Sequence, residues 1–125
     1  MNMLVEQRTY TTHPGKWRDY LMLYEAQGLE VQRRILGRMV GYYYSEIGGL
    51  NQIVHLWAYE DLNERAARRA ELMADADWRA YVVNMLPLLQ NQESKILVPA
   101  FQRVPQPTLF HAHNSNQGIA PRLCA

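Results

Sequence analysis

The sequence contains a single cysteine, Cys124, one residue from its end, so no disulfide can close within the chain and no cysteine-based metal cluster can form. A reducing cytoplasm is the expected setting. The chain also lacks a dominant charge. Its 13 basic and 12 acidic side chains leave +1, too little to build a field that would hold nucleic acid or an anionic membrane surface. No apolar run approaches the length of a membrane span, and Glu6 and Arg8 interrupt what would have to be the apolar core of a signal sequence. Neither nucleic acid nor membrane is therefore expected as a partner. A glycine-rich phosphate loop, a nucleophile elbow, an HExxH run and any internal repeat are missing as well, and with them the usual marks of nucleotide, hydrolase and zinc chemistry. No cofactor and no metal are expected. What is present is 48% hydrophobic residues in 125, enough for the core of one domain, and an unusual supply of tyrosine, eight against two phenylalanines.

Residues 3–11 (MLVEQRTYT) are β-branched and aromatic, without glycine or proline, and end at a His-Pro-Gly turn; they read as a first strand. From Lys16 to Leu36, Trp17, Leu21, Tyr24, Val31 and Ile35 recur along one side of a 3.6-residue helix, which Gly37 should end as a left-handed cap. Residues 38–46 and 51–59 are strand-like around Gly48-Gly49, which can supply the positive φ angles of a tight hairpin. Asp61 with Glu64 opens a helix to about Met73, and Asp75 or Asp77 caps a second segment carrying Trp78, Tyr81, Val82, Met85 and Leu89, with Pro87 ending the helix near Leu86. A last strand is expected over 94–102. The domain then spans 1–103, and the proline- and glycine-punctuated stretch 104–125 reads as a C-terminal arm, disordered or packed on a partner. The order is β-α-β-β-α-α-β, an α+β fold.

A two-residue Gly48-Gly49 loop would pair Tyr44 with Ile53, Tyr42 with His55 and Val40 with Trp57, all on one face. The other face would hold Met39, Gly41, Tyr43, Ser45, Gln52, Val54, Leu56 and Ala58. This smaller, more aliphatic set is assigned to the helices and the intramolecular core. The aromatic face, with Tyr59, Glu46 and the first-strand set Leu4, Glu6, Arg8 and Tyr10, is left to be covered by a second copy, because two charges beneath the helices would be stranded. A ligand is expected in the gap between the two sheets.

Specific runs point the same way: Glu6-x-Arg8-Thr9-Tyr10, Pro14-Gly15-Lys16, Gly41-Tyr42, Glu46, Asn51-Gln52-Ile53-Val54-His55-Leu56-Trp57-x-Tyr59, Arg65, Arg68, Arg69 and Asp77-Trp78. Over residues 3–101 the chain resembles the NIPSNAP family, most specifically in the His-Leu-Trp-x-Tyr strand. The resemblance implies a ferredoxin-like βαββαβ domain with a four-stranded antiparallel sheet, pairing sheet to sheet as a dimeric α/β barrel, in a stand-alone member of the family. It implies no agreed catalytic mechanism. Other families of this architecture include cofactor-independent monooxygenases and isomerases, which is an analogy of fold.

Within the expected cleft His55 would be the proton shuttle, with Tyr42 opposite and Glu46 further along; the alternative is a hydrogen-bonded structural imidazole. Glu6 and Arg8 would bind a polar or carboxylate-bearing ligand, or else form an ion pair closing the barrel. Tyr10, Tyr42, Tyr44, Trp57 and Tyr59 would line the cleft, with packing the stronger explanation for the aromatics. Arg65, Arg68 and Arg69 share a helix with acidic neighbours and read as a salt-bridge face. His111-x-His113 and Cys124 do not make a specific metal or nucleophile site. Two functions follow as expectations: a homodimer binding a small organic molecule, with cofactor-independent chemistry at His55, or a non-enzymatic interaction module whose barrel is filled by its own side chains.

Overall fold

The computed structural model describes residues 3–101. The expected arm, with His111, His113 and Cys124, lies outside the described residues.

Four strands, β1 (Leu4–Thr12), β2 (Arg38–Tyr44), β3 (Gln52–Tyr59) and β4 (Leu89–Leu97), form one antiparallel sheet in the order β2-β3-β1-β4. Between β1 and β2 run α1 (Trp17–Leu23), a π-helical turn (Tyr24–Gly28) and α2 (Leu29–Leu36); between β3 and β4 run α3 (Leu62–Ala74), α4 (Ala76–Met85) and a 3-10 turn (Leu86–Leu88). This is the ferredoxin-like α+β arrangement expected. No helix among the described residues is long and apolar enough to cross a membrane.

Local chemistry accounts for the element ends. Gly37 takes φ 95° after α2 and its N–H bonds the Arg33 carbonyl, a backbone state only glycine adopts cheaply. Asp61 Oδ1 accepts the Glu64 N–H at 2.8 Å while Glu64 reaches back to the Glu60 N–H, and Asp75 Oδ1 accepts the Trp78 N–H at 2.9 Å. Pro87 sits in the 3-10 turn that ends α4. The last strand lies earlier than expected, at Leu89–Leu97 rather than 94–102. Its first half, Gln90 to Glu93, is polar because β4 is an edge strand exposed on both faces, so it carries no apolar alternation to read.

The hairpin differs in two ways. Its connection spans residues 45–51, with Gly48 at φ 107° and Asn51 at φ 60°, and Ile47 and Leu50 are exposed rather than paired. The parity is nonetheless as expected, since Tyr42 faces His55 and Tyr44 faces Ile53. At the other end an irregularity between Met39 and Gly41 puts Met39, not Val40, opposite Trp57.

The assignment of faces is reversed. Ile53, Trp57, Tyr59 and Tyr10 join Tyr20, Tyr24, Val31, Ile35, Leu36, Leu72, Trp78, Tyr81 and Met85 in one buried core between sheet and helices, with Tyr42 and Met39 packed against it. The face expected to be covered intramolecularly is the open one. There Val5 and Ala58 form a small cluster with Met3, Val40 and Leu56, and Tyr43 is 56% exposed. The helices contribute tyrosines and a tryptophan of their own, which need aromatic partners across the layer. Nor are Glu6 and Arg8 stranded beneath the helices, because α3 supplies a counter-ion.

Candidate functional site

On the helix-facing side of β1 and β3 the register sets out pairs two residues apart: Leu4 with Tyr59, Glu6 with Trp57, Arg8 with His55 and Tyr10 with Ile53. Ser94 of β4 lies opposite Arg8. Six of the expected site residues, Glu6, Arg8, Tyr10, His55, Trp57 and Tyr59, are therefore brought together with Tyr42, but inside one protomer rather than between two sheets. Tyr44 and Glu46 are separated from them. Tyr44 stacks on Trp17 at 4.7 Å, and both Tyr44 and Glu46 line a cleft of about 220 Å³ at the hairpin with Ser45, Leu50 and Gln52.

Glu6 is fully buried and answered on all sides. Arg65, one turn into α3, donates Nε and Nη2 to its two carboxylate oxygens at 3.0 and 2.9 Å, Arg8 Nη1 donates at 2.8 Å and the Ser94 hydroxyl at 2.6 Å. Burial alone would raise this carboxyl, but the hydrogen bonds from Arg65, Ser94 and Arg8 outweigh it and hold the pKa at about 2. Arg8 also donates Nε to the Tyr10 hydroxyl at 2.9 Å, and its guanidinium lies 5.5 Å from that ring.

His55 is enclosed by the rings of Tyr42, Tyr24, Tyr10 and Tyr20, with centroids 4.6, 4.9, 5.3 and 6.3 Å away. Its Nε2 meets the Tyr20 hydroxyl at 3.1 Å, and its Nδ1 has no partner among the described residues. Burial first, and then the charge of Arg8, push its pKa down to about 3, so the imidazole is neutral at physiological pH. Burial likewise raises the hydroxyls of Tyr20, Tyr24, Tyr42 and Tyr81, and takes Tyr59 to about 12, so every one of them is protonated. Tyr42 Oη, Trp57 Nε1 and Tyr59 Oη are buried in the same interior without partners among the described residues.

Sequence reasoning missed three participants. Tyr20 lies four residues before Tyr24 but between Trp17 and Leu21, the residues of the expected buried stripe; the i, i+4 pair with Tyr24 was the signal for it. Arg65 and its neighbours divide their work: Arg65 enters the interior, Arg68 bonds Glu64 and the Ile35 carbonyl at the end of α2, and Arg69 makes no ion pair or hydrogen bond among the described residues. Ser94 had no distinguishing signal at all. Among the described residues no three of His, Cys, Asp and Glu are grouped to hold a metal ion.

Comparison with known proteins places this geometry in context. A NIPSNAP-like domain protein from Burkholderia xenovorans is 47% identical and superimposes with a TM-score of 0.80, covering 85% of this chain and 92% of that one. Protein NipSnap homolog 2 of Danio rerio is 34% identical over 99 residues, which are 77% of this chain and 33% of that protein. The chain spans less than half the length of the first curated relatives it matches. A putative antibiotic biosynthesis monooxygenase from Nitrosomonas europaea, 13% identical with a TM-score of 0.62 over 82% of this chain and 95% of that one, shares the fold alone. The NIPSNAP family model matches residues 5–101, and with the fold and these relatives it establishes that the chain belongs to the NIPSNAP family.

Proposed function

We propose that this NIPSNAP protein is a homodimer in which each protomer binds a small organic molecule in the interior between sheet and helices. The observation that carries the reading is the set of buried polar atoms without partners among the described residues along the helix-facing side of β2 and β3, namely Tyr42 Oη, His55 Nδ1, Trp57 Nε1 and Tyr59 Oη. Each such atom costs about 1–3 kcal/mol if nothing answers it. A core selected for stability alone would use phenylalanine and leucine there. Polar donors beside aromatic rings suit a planar ligand with hydrogen-bonding groups.

The chemistry in reach is proton transfer at a neutral imidazole. At a pKa of about 3 His55 is a poor base in the empty interior. An anionic ligand that compensated Arg8 would remove one of the two causes of that depression and raise the proton affinity of Nδ1. The open sheet face, with Val5, Val40, Leu56 and Tyr43, is the surface on which a second copy would pair.

Native mass spectrometry of protein purified from its own cell tests both halves. The expected species has the mass of two chains plus a small organic adduct that leaves on denaturation. A chain that carries no adduct, and whose unpartnered atoms prove to be bonded only to ordered water, would instead favour the non-enzymatic interaction module.

A further inference from the structure

Arg8 and Arg65 both bond a single interior carboxylate, Glu6, and Arg69 follows Arg65 by one turn of α3, so three guanidinium groups share one carboxylate among the described residues. Glu6 already accepts four hydrogen bonds, one from Arg65 on Oε1 and one each from Arg65, Arg8 and Ser94 on Oε2. Arg69 lies one turn beyond Arg65 on the same side of α3, is half-buried, and has no ion pair or hydrogen bond among the described residues. Its spacing of four from Arg65, whose side chain reaches Glu6 of β1, puts it on the sheet-facing side of α3. Arg8 uses Nε and Nη1 and makes no hydrogen bond through Nη2. Two further donors, Tyr59 Oη and Trp57 Nε1, are fully buried on the same sheet face without acceptors among the described residues, and Trp57 lies opposite Glu6. Donors and positive charge are thus in surplus, and an oxyanion is the group that answers both. The site lies near the surface: β4 is exposed along nearly its whole length, and the Arg8 and Arg65 side chains keep 14% and 28% of their surface accessible.

We propose that Arg69, with Arg8 Nη2, Tyr59 Oη and Trp57 Nε1, anchors the carboxylate of an aromatic or otherwise planar ligand whose body lies against the tyrosine cluster around His55. This inference rests on the interior-ligand reading above and names the ligand's class. A guanidinium presents the planar fork that a carboxylate matches, and Tyr10, Tyr24 and Tyr42, which pack around His55, are rings of the kind on which a flat apolar body stacks.

The test uses the full chain with benzoate, its neutral counterpart benzamide, and inorganic phosphate as probes, followed by NMR titration. Benzoate should bind the wild type and benzamide should not. Arg69→Gln should weaken benzoate binding ~tenfold or more, as loss of a charge-assisted hydrogen bond does, and Arg69→Lys should restore part of it. If Arg69→Gln does not fold, Tyr59→Phe, which removes only the unpartnered hydroxyl, should also weaken benzoate. Equal binding of benzamide and benzoate, unchanged by Arg69→Gln and Tyr59→Phe, would overturn the anion anchor and leave the interior-ligand reading standing. Phosphate bound in place of benzoate would overturn the carboxylate class. No probe bound, together with no copurified molecule, would remove both.

Discussion

Glu6 and His55 respond to acid in overlapping but distinguishable windows. The Glu6 carboxyl sits at about 2 when folded against an ordinary 4.5, so its contribution is complete above pH 4.5 and is lost as pH falls toward 2. His55 sits at about 3 against 6.5, so the unfolded chain binds a proton that the folded chain refuses, and stability falls from pH 6.5 downward. Urea denaturation between pH 7 and 4 should therefore show a decline that His55→Gln removes above pH 4.5 while leaving the decline below it. An unchanged profile would mean that His55 is not the group responsible. Arg65→Ala should cost about 3 kcal/mol by the same measurement, because it strips Glu6 of its bidentate partner and leaves a buried carboxylate short of charge. The pairing of Glu6, Arg8 and Tyr10 on one face was legible from their alternation. Their partners were not, since Arg65 and Ser94 lie 59 and 88 residues from Glu6.

The long crossover after β1 reads as one helix from spacing, yet it contains a π-helical turn at Tyr24–Gly28. The extra residue in that turn rotates the buried side, so that Tyr20, Tyr24 and Gly28 face inward and Trp17 and Leu21 are only half-buried. Gly28 is where α4 approaches closely. A methyl group on it would lie 2.9 Å from Tyr24 Cδ1 and from Tyr81 Cζ. Gly28→Ala should destabilise the fold by ~1–3 kcal/mol and alter the near-ultraviolet circular dichroism, because Tyr24 packs on His55 and Tyr81 packs on Tyr24 and Trp78. A variant with wild-type stability and spectrum would show that the rings can yield freely. The start and stop of the helices were read correctly from Asp61, Asp75, Gly37 and Pro87, residues whose effect acts within a turn. The edge strand β4 was misplaced because beyond Leu89 it is exposed on both faces, so no burial imposes a pattern on its residues.

At the scale of the molecule, the reversed faces change what dimerisation would depend on. Trp57 is fully buried in the protomer core, so Trp57→Arg is expected to unfold the chain rather than to separate two folded copies. Leu56→Arg, on the open face, should instead yield a folded monomer by analytical ultracentrifugation with the wild-type circular dichroism spectrum. A wild-type chain that sediments as a monomer at micromolar concentration would remove the pairing proposal. The order of elements, their caps and the β2-β3 register around Tyr42 and His55 all follow from contacts within a turn or across one hairpin, and such contacts can be read from neighbouring residues. Which side of the sheet would be the interior depended on what the helices bring to it. Tyr20, Tyr24, Trp78 and Tyr81 demand aromatic partners, and Arg65 makes a buried Glu6 tolerable, so only the docking of helix on sheet could decide that the polar, tyrosine-rich face is the inside.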